Sequence, residues 1–192
     1  EKSLDYEPVI INLFTNEQYD PEYLKLNPKG VVPTLVHGGH VIPESSLICE
    51  YLDEVFPQQP LVPGDAYQKT RMRMYSKLID EQIFKATREI SFSAHFRARM
   101  QGMSEEQRQR RFNNVGDPER TARYTEIFEQ GTDSHFVLES VADYEKAFKK
   151  MEGDLAEGGG PWLLGAGYTL ADINMIPYVG RLAFLNLLDI SD

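Results

Sequence analysis

Two residue pairs in the first third of the chain have the chemistry to hold a ligand, and neither is needed to build a core. Val32-Pro33 stands just before a short apolar run. Glu44-Ser45 stands just before a helical pattern that begins at Leu47. Proline lacks an N–H and confines the residue before it to an extended conformation. With a cis bond the chain turns sharply and Val32 presents both its N–H and its C=O, an edge to which a small peptide adds as an extra strand. A trans proline that simply starts a strand is the alternative. Glu44-Ser45 lies at a helix mouth, where free N–H groups and the positive end of the dipole favour a carboxylate. The serine hydroxyl adds a donor and Glu44 can accept from an ammonium, so the pair suits an amino-acid head group. Ordinary capping by Ser45 is the alternative. Together the pairs fit a short acidic peptide with a free α-amino-acid end.

The elements that must position them follow from pattern. Val9 to Leu13 (VIINL) reads as a strand buried on both faces. Asp20-Pro21-Glu22 reads as a helix start, with Asp as cap and Pro in the first turn, and Asn27-Pro28 ends that helix. Residues 34–37 and 40–42 read as strands joined by Gly38-Gly39, a hairpin signal. Leu47, Ile48, Tyr51, Leu52 and Val55 recur at helical spacing until Pro57. Residues 1–57 are thus strand, helix, strand, strand, helix. Residues 58–66 carry Pro60, Pro63 and Gly64 and read as a linker. Residues 67–192 read as all-helical. The pattern over 67–100 sets Met74, Leu78, Ile79, Ile83 and Phe84 along one side. Residues 104–116 are a short helix or a loop, and residues 136–155 a further helix broken by Gly158-Gly159-Gly160-Pro161. Thr169 to Asp172 is a capping box, with Tyr168 and Ile173 placed as a hydrophobic staple.

Bulk properties narrow the function. The formal net charge is −10 over 192 residues, which repels phosphate and argues against a general nucleic-acid binder. Residues 97–123 hold a local excess of arginine, read as a solvated helix face with charge pairs rather than a phosphate site. A single cysteine, Cys49, excludes an internal disulfide framework and points to a reducing, cytoplasmic location. No run of 18 apolar residues is present to span a membrane. Cys49 sits inside a helix beside Glu50 and reads as packing, not as a nucleophile. His37 and His40 flank the hairpin turn without metal-ligand spacing, and no metal is expected. Asp80-Glu81 reads as a solvated or ion-paired face. Nucleotide-binding glycine motifs are absent from the sequence.

The stretches NPKGVVPTL and PESSLICEYLDEVFP resemble the second half of the thioredoxin-like domain of the glutathione transferase family, and WLLGAGYTLADINMIPY resembles the capping-box helix of that family's all-helical domain. Within the family, ICEYLDEVFP, IDEQIF and the insertion MSEEQRQRRFNNVGDPERTARY are similar to bacterial glutathione-dependent β-aryl-etherases. The resemblance implies an α/β thioredoxin-like domain over 1–57 and an all-α domain over 67–192. It implies glutathione as co-substrate, with Val32 pairing to the cysteinyl backbone, Pro33 as the cis-proline, and Glu44 and Ser45 holding the γ-glutamyl end. Many members carry a polar residue just before the Val-Pro pair, and here it is Val31, so Gln18 or Lys29 is considered for the glycine carboxylate. EKSLDYEPV resembles the end of the family's first helix and the start of its second strand. The family's first strand, and the turn whose Ser, Cys or Tyr contacts the thiol, are therefore expected before Glu1, and the catalytic residue is unknown.

The implied activity is displacement at carbon: the glutathione thiolate attacks an apolar or aryl electrophile, with β-aryl ether cleavage as one form. A homodimer through the Leu47 and Tyr67 helices is implied as well. The alternative is a non-catalytic binding or scaffold module on the same fold. A third reading is a glutathione-dependent reductase or isomerase.

Overall fold

The computed structural model describes residues 2–13, 15–113 and 119–188. The chain divides into two compact units, Glu1–Pro63 and Gly64–Asp192.

In the first unit, strands β1 (Thr34–His37) and β2 (His40–Pro43) pair antiparallel, with Thr34 opposite Pro43 and His37 opposite His40. Gly38 and Gly39 both take positive φ, 56° and 81°, as the tight primed turns demand. Helix α1 (Pro21–Leu26) carries Pro21 at its first position, but the Asp20 side chain makes no capping bond. Helix α2 (Ser45–Val55) begins two residues before the apolar pattern does.

The expected strand over Val9 to Leu13 is not found. These residues are irregular, and Val9 and Ile10 are 77% and 83% exposed. A strand exists only where a neighbour takes its N–H and C=O groups. Among the described residues the sheet is β1–β2 alone. Apolar content marked this run for burial but could not supply the partner.

The turn between α1 and β1 is built around Asn27, which is 1% exposed. Its Nδ2 donates to the Val31 carbonyl at 2.9 Å and to Thr34 Oγ1 at 3.1 Å. Its Oδ1 accepts from the Lys29 N–H, and its main-chain carbonyl accepts from the Gly30 N–H. Tyr23 Oη on α1 donates to the same Val31 carbonyl at 2.6 Å. Gly30 has φ +60°, and a Cβ there would meet the Tyr19 ring at 2.7 Å, so only glycine fits. A second buried group, Asp53 on α2, accepts from the Leu61 and Val62 N–H groups and pairs with Lys2 at 2.7 Å. Burial alone would raise its pKa. Lys2 and those two N–H groups outweigh burial and hold it below its ordinary value.

The second unit opens with helix α3 (Ala66–Leu78), capped by Asp65, whose side chain accepts from the Gln68 N–H at 2.9 Å. The helical path continues through a π-turn (Ile79–Ile83), α4 (Phe84–Ser91), a second π-turn (Phe92–Phe96) and α5 (Arg97–Met100). The inward face is Met72, Tyr75, Ile79, Ile83, Ala86 and Ile90, whereas Met74 and Phe84 are exposed. Two members of the expected stripe therefore point outward. Spacings of three and four select 72, 75, 79, 83, 86 and 90 as one continuous face.

Helix α6 (Glu105–Phe112) begins in a capping box of Ser104 and Gln107. Residues 114–116 of the expected helix or loop lie outside the described residues. Helix α7 (Arg120–Gln130) has no counterpart in the sequence reading. Phe92, Phe112 and Tyr124 cluster with Ile127 and Val137, the Phe92 and Tyr124 rings stacked at 4.2 Å. Not all of the arginine-rich segment is a solvated face. Arg123 is buried and ion-paired to the fully buried Glu89 at 3.2 Å, and Arg97 Nε donates to the Phe128 carbonyl. Here a guanidinium ties helices together instead of facing water.

Helix α8 (His135–Gly158) ends at Gly159 in the left-handed conformation. Helix α9 (Leu170–Phe184) starts in the expected capping box. Asp172 accepts from the Thr169 N–H and hydroxyl through one oxygen and from the Leu163 N–H through the other. Asp154 on α8 accepts from Tyr75 Oη at 2.6 Å, Lys150 Nζ at 2.7 Å and Arg71 Nη2 at 3.0 Å.

Replacing Asn27 by Ala removes the donor to Val31 and the acceptor for Lys29 inside a buried turn. The expected loss is about 1–3 kcal/mol, measured as a lower urea midpoint. The Asp154 pKa would be raised by burial, but Lys150, Tyr75 and Arg71 together lower it below the ordinary carboxylate value. A depressed folded pKa contributes stability that is present above the unfolded value of about 3.9 and is lost as pH falls through the folded one. Asp154→Asn is therefore less stable at pH 7, and its unfolding midpoint falls less steeply than wild type between about pH 5 and pH 2.

Candidate functional site

The hairpin register gathers the two pairs. Thr34 and Pro43 are opposite each other at the open end of β1–β2. Val32-Pro33 runs into the first and Glu44-Ser45 runs out of the second, so twelve positions of sequence separation collapse to one end of a two-stranded sheet. A direct link confirms the proximity: Lys29 Nζ lies 2.7 Å from Glu44 Oε1.

The Val32-Pro33 bond is cis. Val32 is 42% exposed, and no described residue hydrogen-bonds its N–H or its C=O. The contrast with Val31 is sharp, because the Val31 carbonyl takes both Tyr23 Oη and Asn27 Nδ2. The turn thus engages the carbonyl of one residue and leaves the polar groups of the next open.

Glu44 occupies the cap position of α2 with φ 72° and ψ 113°. Positive φ in a residue with a Cβ costs on the order of 1–3 kcal/mol and persists only where surroundings impose it. The Glu44 side chain makes no capping bond. Its carboxylate is directed to Lys29 instead, and this hydrogen bond and charge hold the Lys29 ammonium above its ordinary pKa. Ser45 is the first helical residue and is exposed. It does not occupy the cap position, so the ordinary capping role weighed for it is not what the helix uses. Among the described residues, no side chain caps the first turn of α2, and its N–H groups are open to an anion.

Three residues of this region escaped the sequence reading in part or whole. Asn27 read only as a helix terminator, yet its side chain organises the turn. Tyr23 gave no signal, since its role depends on where Val31 arrives. Lys29 was considered for the glycine carboxylate, and the structure puts it against Glu44. The other residue considered, Gln18, is buried in the 3-10 turn Glu17–Tyr19.

Three other side chains considered for chemistry have local partners or surroundings that fix their place. His37 Nδ1 lies 2.8 Å from Tyr51 Oη, and its ring packs against Tyr51 and Phe56, fastening the hairpin to α2. Cys49 is partly buried, and that burial pushes its thiol pKa up, the wrong direction for a nucleophile. Glu81, in the first π-turn, pairs with Lys77 at 2.6 Å. Among the described residues no group of His, Cys, Asp and Glu could hold a metal ion, and no helix is long and apolar enough to cross a membrane.

Comparison with known proteins identifies the family. Residues 1–60 match the family model for the glutathione S-transferase N-terminal domain, and residues 105–191 the model for its C-terminal domain. Protein LigF of Sphingobium sp. strain SYK-6 is 34% identical over 182 residues, covering 90% of this chain and 67% of that protein. A zeta-class glutathione S-transferase of Euphorbia esula is 43% identical over 82 residues, which is 43% of this chain and 36% of that protein. The crystal structure of beta-etherase LigF from the same Sphingobium strain superposes with a TM-score of 0.78 at 31% identity, covering 95% of this chain and 75% of that one. A glutathione transferase homolog from sulfitobacter, with bound glutathione, shares the fold at a TM-score of 0.67 and 20% identity. A chain matched in both halves, and along most of the length of an authentic relative, is no chance likeness: this one belongs to the glutathione S-transferase family.

Proposed function

We propose that the protein is a glutathione transferase that holds glutathione at the open end of the hairpin and transfers its sulfur to an apolar, aryl-bearing electrophile. Cleavage of a β-aryl ether is the first reaction to try. The observation that carries the reading is the open backbone of Val32 at the same hairpin end as the Glu44 carboxylate and the uncapped start of α2. The N–H and C=O of Val32 would pair with the cysteinyl residue of glutathione as an added strand. Glu44 would accept from the γ-glutamyl ammonium. Ser45 and the first-turn N–H groups would donate to the γ-glutamyl carboxylate. Pro33 fixes the approach to β1.

In the reaction, thiolate sulfur attacks the electrophilic carbon and a C–S bond forms. The C–O bond to the aryl group breaks, its electron pair leaves with the phenolate, and that phenolate takes up a proton. The likeness to LigF, a beta-etherase, motivates the choice of substrate. Cys49 is not part of the chemistry, given its raised pKa. A cytoplasmic location, consistent with a single free cysteine, and a homodimer belong to the same proposal. Leu47 on α2 and Tyr67 on α3 are both exposed, as self-association through those helices requires.

Calorimetric titration of glutathione into the full-length protein tests the reading. Saturable binding below about 1 mM, roughly −4 kcal/mol or tighter, is expected, with Glu44→Ala weakening it about tenfold. No heat, and no displacement by an S-substituted glutathione, would leave the non-catalytic module as the better description.

A further inference from the structure

The Lys29–Glu44 ion pair sits where one charge of the ligand is already assigned, and its geometry has a second use. Lys29 occupies only Oε1 of Glu44. A carboxylate has about four acceptor positions on two oxygens, and an ammonium has three donors. Glu44 Oε2 therefore remains for an incoming ammonium while Lys29 stays in place, and Lys29 keeps donors of its own. The pair is a fixed plus and minus at the mouth of a helix. A free α-amino acid group is a plus and a minus on one carbon. Laid against each other, the four charges alternate, and no like charges need adjoin.

Lys29 is also held in position. Its N–H donates to Asn27 Oδ1 at 3.2 Å, and the following residue, Gly30, turns at φ +60° against the Tyr19 ring. The Lys29 side chain is exposed beyond that anchored backbone, and its partner Glu44 holds an unusual backbone conformation. The arrangement uses two residues that come from opposite sides of the hairpin, so it exists only in the folded first unit.

We infer that Lys29 is a specificity-determining residue that reads the α-carboxylate of the γ-glutamyl head group, completing with Glu44 a clasp for a zwitterion. This deepens the glutathione reading and rests on it. The clasp discriminates against peptides that keep the ammonium but have lost the neighbouring carboxylate, a distinction Glu44 alone cannot make.

The test compares two ligands on two proteins by calorimetry. The ligands are glutathione and its analogue with γ-aminobutyrate in place of the γ-glutamyl residue, which keeps the ammonium and lacks the α-carboxylate. The proteins are wild type and Lys29→Met, a change at an exposed side chain that leaves the Asn27 contact with the backbone intact. Lys29→Met should weaken glutathione about two- to fivefold, the range for an exposed charge pair, and leave the analogue unchanged. Lys29→Arg should restore most of the loss, and the difference should shrink in about 0.5 M salt. Equal effects on both ligands, or tighter glutathione binding by Lys29→Met, would overturn the inference, the latter marking Lys29 as a counter-ion that the ligand must displace. Wild type that binds neither ligand would overturn the glutathione reading itself, and the clasp with it.

Discussion

A polar side chain buried in a small protein must find all its partners inside it, and this chain is organised around that constraint. Asn27 is the leading case. Its carboxamide is out of reach of solvent, so Val31, Thr34 and Lys29 have to come to it. Once they do, the path from α1 into β1 is determined, and with it the exposure of Val32. Asp53 does the same for the segment after α2, through Leu61, Val62 and Lys2. In the second unit Asp172 gathers the turn before α9, Asp154 joins α3 to α8, and Glu89 receives Arg123. In each case one buried or half-buried acid or amide fixes the path of another segment, near in sequence for Asn27, Asp53 and Asp172 and far for Asp154 and Glu89.

What could be read from the sequence follows from how local each signal is. The hairpin was legible because two adjacent glycines dictate the turn and the turn dictates the register. The capping box at Thr169 was legible because its partners are three residues apart. The hairpin between Val32-Pro33 and Glu44-Ser45 predicted that the two pairs would meet, and its register brings them to one end. The strand expected at Val9 was not there, since a strand is a property of two segments and one sequence window shows one. Arg123 looked like surface charge, because nothing near it in sequence reveals Glu89 across the helices. Met74 and Phe84 are apolar but fall outside the three-and-four spacing of the buried face, and they turn outward. Asn27 was half legible: its power to end a helix is local, its power to organise a turn is not.

The open end of the hairpin shows a division of labour between engaged and open groups. The Val31 carbonyl is doubly engaged, whereas the Val32 groups are unengaged one residue later. The start of α2 is held in place by a hairpin register, not by a cap, so its N–H groups are free for a partner from outside. Glu44 adopts a backbone conformation it would not choose alone, and its carboxylate is thereby set toward Lys29 rather than toward its own helix. If glutathione binds as proposed, the site would need little rearrangement, because its polar groups are already without protein partners or share one that stays.

The two π-turns in the long helical run set a different kind of freedom. A π-turn closes its hydrogen bond one residue later than an α-turn, so Ile79–Ile83 and Phe92–Phe96 each hold one residue that the helix does not need. Excising one residue from such a turn returns it to ordinary α geometry and keeps the flanking faces in phase. The same excision within α3 or α4 would rotate everything downstream by about 100° and drive the buried face toward water. Single-residue deletions along this helix are thereby steered to two places, and the run from Ala66 to Met100 can lose a residue there without its core being rebuilt.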